Sequence, residues 1–160
     1  MPGLFHYEVE ASAEVAATPE RVWATLVDLD GYGTWNPFTP AVRSTLAVGD
    51  PVHLDVVLGP GRRTRSTNTV EVVDAPQRLV WSSTLGHRWL LATRRTQTVE
   101  ALPDGRSRYR THEVFRGPLA PLVGLVSRRA VADGFAAVAD ALRRQVEAAP
   151  GAEDTAARPQ

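Results

Sequence analysis

From Val42 to Arg116 the chain is a succession of short alternating segments separated by Gly-, Pro- and Asp-rich turns, and only the stretch after Gly117-Pro118 holds a helical period over many turns. A chain divided this way must cover one apolar sheet face with one long helix. That points to an α+β fold in which a curved antiparallel sheet wraps a C-terminal helix. Val52, Leu54, Val56 and Leu58 alternate with His53 and Asp55, the period of a strand with one buried face. Turns at Gly49-Asp50, Gly59-Pro60-Gly61, Asp74-Ala75-Pro76-Gln77, Gly86 and Pro103-Asp104-Gly105 leave strands over 52–58, 63–73, 78–85, 88–101 and 106–116, after a first strand from 42.

Ahead of this meander, Phe5, Tyr7, Val9, Ala11, Ala13 and Val15 alternate with His6, Glu8, Glu10, Ser12 and Glu14, which makes another strand. Thr18-Pro19-Glu20 has the marks of a helix start: a capping residue, a proline at the first helical position and an acid at the positive end of the dipole. That helix carries Val22, Trp23, Leu26 and Val27 on one side and ends at Asp30-Gly31, and Tyr32 to Pro40 follows as a short helical turn or loop. In the last helix, running to about Ala149, Val131, Phe135, Val138, Leu142 and Val146 form one stripe, with a kink expected near Gly124 or Gly134. Residues 150–160 are expected to be a disordered tail, leaving one domain over 1–149 with seven strands.

Composition removes several chemistries. The 18 basic residues, all Arg, balance 18 acidic ones, so there is no electrostatic footprint for nucleic acid or an anionic membrane. Without Lys or Cys there is no Schiff base, thiol nucleophile, disulfide or thiolate metal site. No pair of His residues has metal-ligand spacing, so neither metal nor cofactor is expected. No run of about 20 apolar residues could span a bilayer, and the N-terminus has no signal-peptide pattern. A cytoplasmic monomer or homodimer is the expectation.

Several local motifs, in this order, resemble the START/Bet v 1-like (SRPBCC) superfamily and its helix-grip fold. They are Ala17-Thr18-Pro19-Glu20-Arg21-Val22-Trp23, Trp35-Asn36-Pro37-Phe38, Leu79-Val80-Trp81, Gly86-His87, Glu113-Val114-Phe115-Arg116-Gly117 and Gly134-Phe135. The likeness is greatest to the bacterial branch described as polyketide cyclase/dehydrase and lipid transport. It implies an internal cavity for a small hydrophobic molecule, with roles from passive lipid binding to polyketide cyclisation.

The turn at Pro103-Asp104-Gly105 sets a register. With Leu102 and Arg106 flanking it, Val99 faces Tyr109, Gln97 faces Thr111, Arg95 faces Glu113 and Thr93 faces Phe115. That face also carries Trp89 and Leu91 and is therefore the inner one, while Arg94, Arg108, Arg110 and Arg116 point to solvent. By the same reasoning across Asp74–Gln77, Val72 faces Leu79, Val70 faces Trp81, Asn68 faces Ser83 and Ser66 faces Leu85. The candidate ligand site is thus Trp35, Asn36, Asn68, Val70, Trp81, Ser83, Trp89, Leu91, Gln97, Tyr109, Thr111, Phe115 and Phe135. Glu113, Arg95 and His87 are the candidate acid–base and charge-stabilising groups. The bland alternative is that Arg95 and Glu113 form an ion pair bracing the sheet and the aromatics pack a core. Three functions remain: a binder of a small hydrophobic or aromatic ligand, a polyketide cyclase or dehydratase, and a partner-binding or co-chaperone module.

Overall fold

The structure, a computed structural model, describes residues 5–149. The expected tail over 150–160 lies outside the described residues. Strand β1 (His6–Val15) leads to helix α1 (Pro19–Val27), a single 3-10 turn and the short helix α2 (Tyr32–Trp35). Strands β2 (Ala41–Arg43), β3 (Pro51–Gly59), β4 (Arg62–Asp74), β5 (Arg78–Thr84), β6 (Ala92–Ala101) and β7 (Ser107–Arg116) follow, and α3 (Ala120–Ala148) closes the fold. The seven strands form one antiparallel sheet in the order β1-β7-β6-β5-β4-β3-β2, so the chain's first strand lies beside its last. This is a helix-grip fold.

Helix α3 lies in the curve of the sheet because of its stripe. Val131, Phe135, Val138, Leu142 and Val146 are all buried, and burying each such side chain is worth about 1.5–3 kcal/mol. The helix runs unbroken through Gly124 and Gly134, and those glycines have a packing role. A Cβ on Gly134 would sit 2.2 Å from the Phe38 ring, and one on Gly124 would sit 3.1 Å from Tyr7. Absence of a side chain lets the helix approach its neighbours closely at both places. Its C-terminal end is tied to α1, where Arg21 donates to the carbonyls of Val146 (3.0 Å) and Ala149 (2.7 Å). Thr18 has the extended backbone of a cap residue, but its hydroxyl makes no capping hydrogen bond.

The β6–β7 register is the expected one, with Val99 opposite Tyr109, Gln97 opposite Thr111, Arg95 opposite Glu113 and Thr93 opposite Phe115. Asp104 (φ 64°) and Gly105 (φ 72°) take left-handed conformations to close the tight turn. Two expectations change. Val70 does pair with Trp81, but a bulge between Val70 and Val72 shifts the remainder, so Val72 pairs with Val80 instead of Leu79. In addition β6 starts at Ala92 instead of residue 88. The chain reverses through a turn closed by Leu90 N–H to the His87 carbonyl (2.8 Å).

Candidate functional site

Alternation along β3–β7 sends every second side chain inward, and the inner faces do not meet α3 everywhere. Between them lies a cavity of about 160 Å³. Phe38, Leu54, Val56, Leu58, Phe115 and Val131 supply its apolar wall. Thr39, Ser66, Asn68, Ser83, Thr93, Arg95 and Glu113 supply its polar groups, with Trp81 beside them.

Each polar group is held by a local cause. Asn36 accepts from the backbone N–H groups of Phe38 (3.1 Å) and Thr39 (2.8 Å), which fixes the loop that brings those two residues to the wall. Ser66 donates to Asn68 (2.9 Å) from the next inward position of β4. Ser83 and Thr93 share a hydrogen bond of 2.9 Å across β5 and β6. Arg95 donates through Nε to Thr111 Oγ1 (3.0 Å) and lies over the Phe135 ring, 4.4 Å from its centroid, with Trp81 5.9 Å away. Tyr109 donates to Gln97 Oε1 (2.6 Å) just beneath.

Arg95 and Glu113 stand opposite in register, yet they do not form the ion pair of the bland alternative. Arg95 turns to Thr111 and the aromatic rings, while Glu113 stays by Thr93. Glu113 borders the cavity and so keeps partial accessibility, but its carboxyl is packed deep in the fold. Desolvation pushes it above the ordinary carboxylate range. The Arg95 charge, the Thr93 hydroxyl and His112 pull the other way without cancelling the effect. Nearby, burial pushes the Tyr7 hydroxyl up to about 12, so it is neutral.

A larger depression of about 750 Å³ lies on the convex face of the sheet. It runs under the β5–β6 loop and is spanned by an exposed ion pair, Arg94 to Glu71 at 2.6 Å. Its charged groups are in water. The inner cavity is smaller, but it holds buried Arg95 and Asn68, and a buried polar group is the more informative sign of a site.

The family model for polyketide cyclase/dehydrase and lipid transport matches residues 6–147. The chain belongs to that family. No curated protein sequence matches it. Among solved structures it is similar to TTHA0849 from Thermus thermophilus, with TM-score 0.70, 20% identity, and 91% of this chain and 100% of that one covered. It is also similar to norcoclaurine synthase from Thalictrum flavum, with TM-score 0.67, 16% identity, and 91% and 96% covered. A third is the Zhui aromatase/cyclase from Streptomyces sp. R1128, with TM-score 0.67, 21% identity, and 91% and 99% covered. At these identities the likeness is one of fold.

Within this family member the candidate residues divide into three groups. Glu113, Arg95, Asn68, Trp81, Ser83 and Phe115 border the cavity. Tyr109, Thr111 and Phe135 lie behind it around Arg95, Gln97 accepts from Tyr109, and Val70 and Leu91 are core. The others lie elsewhere. Trp89 is 66% exposed in the β5–β6 turn, because β6 begins after it. His87 is exposed in the same turn and borders the convex depression. Trp35 packs edge-on against Tyr32 (5.0 Å), and Asn36 spends its acceptor on the backbone. Cavity residues that sequence reasoning did not nominate include Phe38, Thr39, Thr93 and Val131. Leu54, Val56 and Leu58 were missed as well, although the alternation of β3 already marked them as inward.

Proposed function

We propose that this protein binds a small hydrophobic or aromatic molecule in the cavity between the sheet and α3. The observation that carries this reading is an apolar-walled space into which a few polar groups, the buried Arg95 and Asn68 and the half-buried Glu113, converge. Apolar walls with a few well-placed polar groups are the usual composition of ligand sites. Size narrows the occupant. The cavity holds about 160 Å³, whereas an apolar cavity of about 150 Å³ takes one benzene and drug-sized ligands need roughly 300–1,000 Å³. A single ring with small substituents fits; a multi-ring polyketide or a long acyl chain requires the walls to part.

One observation favours a second reading, acid–base catalysis. A carboxyl raised by burial sits opposite a guanidinium on the same cavity, so one group could move a proton while the other holds a developing oxyanion. His87, exposed on the far side of the sheet, has no part in that scheme. A sealed interior would favour a partner-binding module, and the cavity does not supply that support.

NMR titration of the ¹⁵N-labelled protein with small aromatic compounds tests the first reading. Shifts centred on Trp81, Arg95 and Phe115 are expected. If no ring compound shifts these residues at millimolar concentration, the reading is wrong. Glu113→Gln then separates the two: a binder keeps its affinity, and an enzyme loses turnover.

A further inference from the structure

We propose that the ligand of the inner cavity carries a carboxylate on a single aromatic ring and that Arg95 receives it. This rests on the ligand-binding reading above and adds the chemical class.

Arg95 is 5% exposed, on the inward face of β6. A guanidinium has five N–H donors in a planar fork. Among the described residues it completes one hydrogen bond, from Nε to Thr111 Oγ1 at 3.0 Å. Phe135 and Trp81 support the charge through their ring faces but offer no acceptor lone pair. The Tyr109 oxygen lies within hydrogen-bonding reach of the guanidinium and gives its own proton to Gln97, so it offers Arg95 a neutral acceptor and no counter-charge. The carboxylate that would ordinarily neutralise a buried arginine, Glu113, stands opposite in register and forms no ion pair with it. Arg95 borders the cavity, and apart from Tyr109 its terminal amines have no hydrogen-bond acceptor among the described residues.

Two neighbours repeat the imbalance. Trp81 Nε1 and Gln97 Nε2 are buried and also lack an acceptor. Trp81 is the cross-strand partner of Arg95, and Gln97 is the next inward residue of β6. Those two nitrogens are sealed within the sheet, so Arg95 alone borders the cavity with donors to spare, and that suits an oxygen-rich anion. A carboxylate matches the guanidinium fork with two parallel hydrogen bonds. A neutral hydrocarbon would leave the donors unmet, and a cation would meet Arg95 with like charge. Desolvation raises the Glu113 carboxyl, which weakens its opposition to an anion. The volume of about 160 Å³ restricts the remainder to one ring, packed against Phe115, Leu54 and Val56.

The test uses three probes of nearly equal shape, benzoate, benzamide and benzyl alcohol, titrated into the ¹⁵N-labelled wild-type protein and into Arg95→Gln. Benzoate should bind wild type about tenfold or more tighter than benzamide, the worth of a charge-assisted hydrogen bond. Arg95→Gln should abolish that preference and leave benzyl alcohol within about twofold. The wild-type comparison stands even if the variant fails to fold. Equal binding of benzoate and benzamide overturns the anion assignment and leaves the cavity reading intact. A benzoate preference that survives in folded Arg95→Gln overturns the role of Arg95. If none of the three binds, the cavity reading itself falls.

Discussion

Arg94 and Arg95 are neighbours on one strand with opposite circumstances. Arg94 points outward, is mostly solvated and meets Glu71 at 2.6 Å. The same convex face carries Arg108 with Glu14 and Glu100, and Arg110 with Glu10, in a ladder of exposed pairs. Arg95 points inward, is almost fully buried, and has aromatic rings and the hydroxyls of Thr111 and Tyr109 for company. An exposed pair is worth about 0–1 kcal/mol, because water screens it and two long side chains must be ordered. A buried charge without its counter-charge costs stability, and a fold that could place Leu or Met there has no structural reason to keep it. The outer arginines therefore serve solubility and pairing across the convex face, and the inner one is best understood through what enters the cavity.

The largest effect expected on the inner side comes from removing what Arg95 rests on. Phe135→Ala should destabilise the protein by about 3–5 kcal/mol in urea denaturation, since it opens a void beneath Arg95 and Phe38. A loss under about 1 kcal/mol would mean that the inner face is loosely packed and the contrast with the outer face weak. Arg95→Met should act in the other direction, raising stability by about 1–4 kcal/mol while removing carboxylate binding. A less stable Arg95→Met would show that the guanidinium braces the sheet after all.

Glu113→Gln sharpens the comparison through pH. Burial raises the folded carboxyl, so the folded chain holds that proton more tightly than the unfolded chain does. Stability from this group is greatest below the unfolded carboxylate range and falls as pH rises from there towards the folded value. Glu113→Gln removes that slope. In urea midpoints the variant should gain on wild type at about pH 8 and much less at about pH 5. Parallel pH curves for the two proteins would place Glu113 in water. The smallest effect belongs to the outer face: Arg94→Gln should change stability by about 0.5 kcal/mol or less and leave ligand binding untouched.

Much of the inner face was legible in the sequence. The Pro103-Asp104-Gly105 turn, together with alternation on either side, determined the β6–β7 register, and with it that Arg95, Gln97, Thr111, Glu113 and Phe115 share the concave side. The stripe from Val131 to Val146 determined which face of α3 is buried. Both follow from periodicity, which is a property of consecutive residues and needs no knowledge of distant ones.

Other features depended on the assembled molecule. The run Leu85 to Leu91 is apolar at both ends and reads equally well as strand or turn, so only the closure of the β5–β6 loop decided that Trp89 faces outward. The bulge at Glu71 adds one residue to one side of a ladder, and either strand alone has the same alternation with or without it. Register placed Arg95 and Glu113 face to face but could not decide whether they touch. A cross-strand pair fixes backbone positions and leaves the rotamers free. The ring of Phe135, 40 residues further along the chain, drew the guanidinium away from the carboxylate, and that separation exists only once α3 has packed into the sheet.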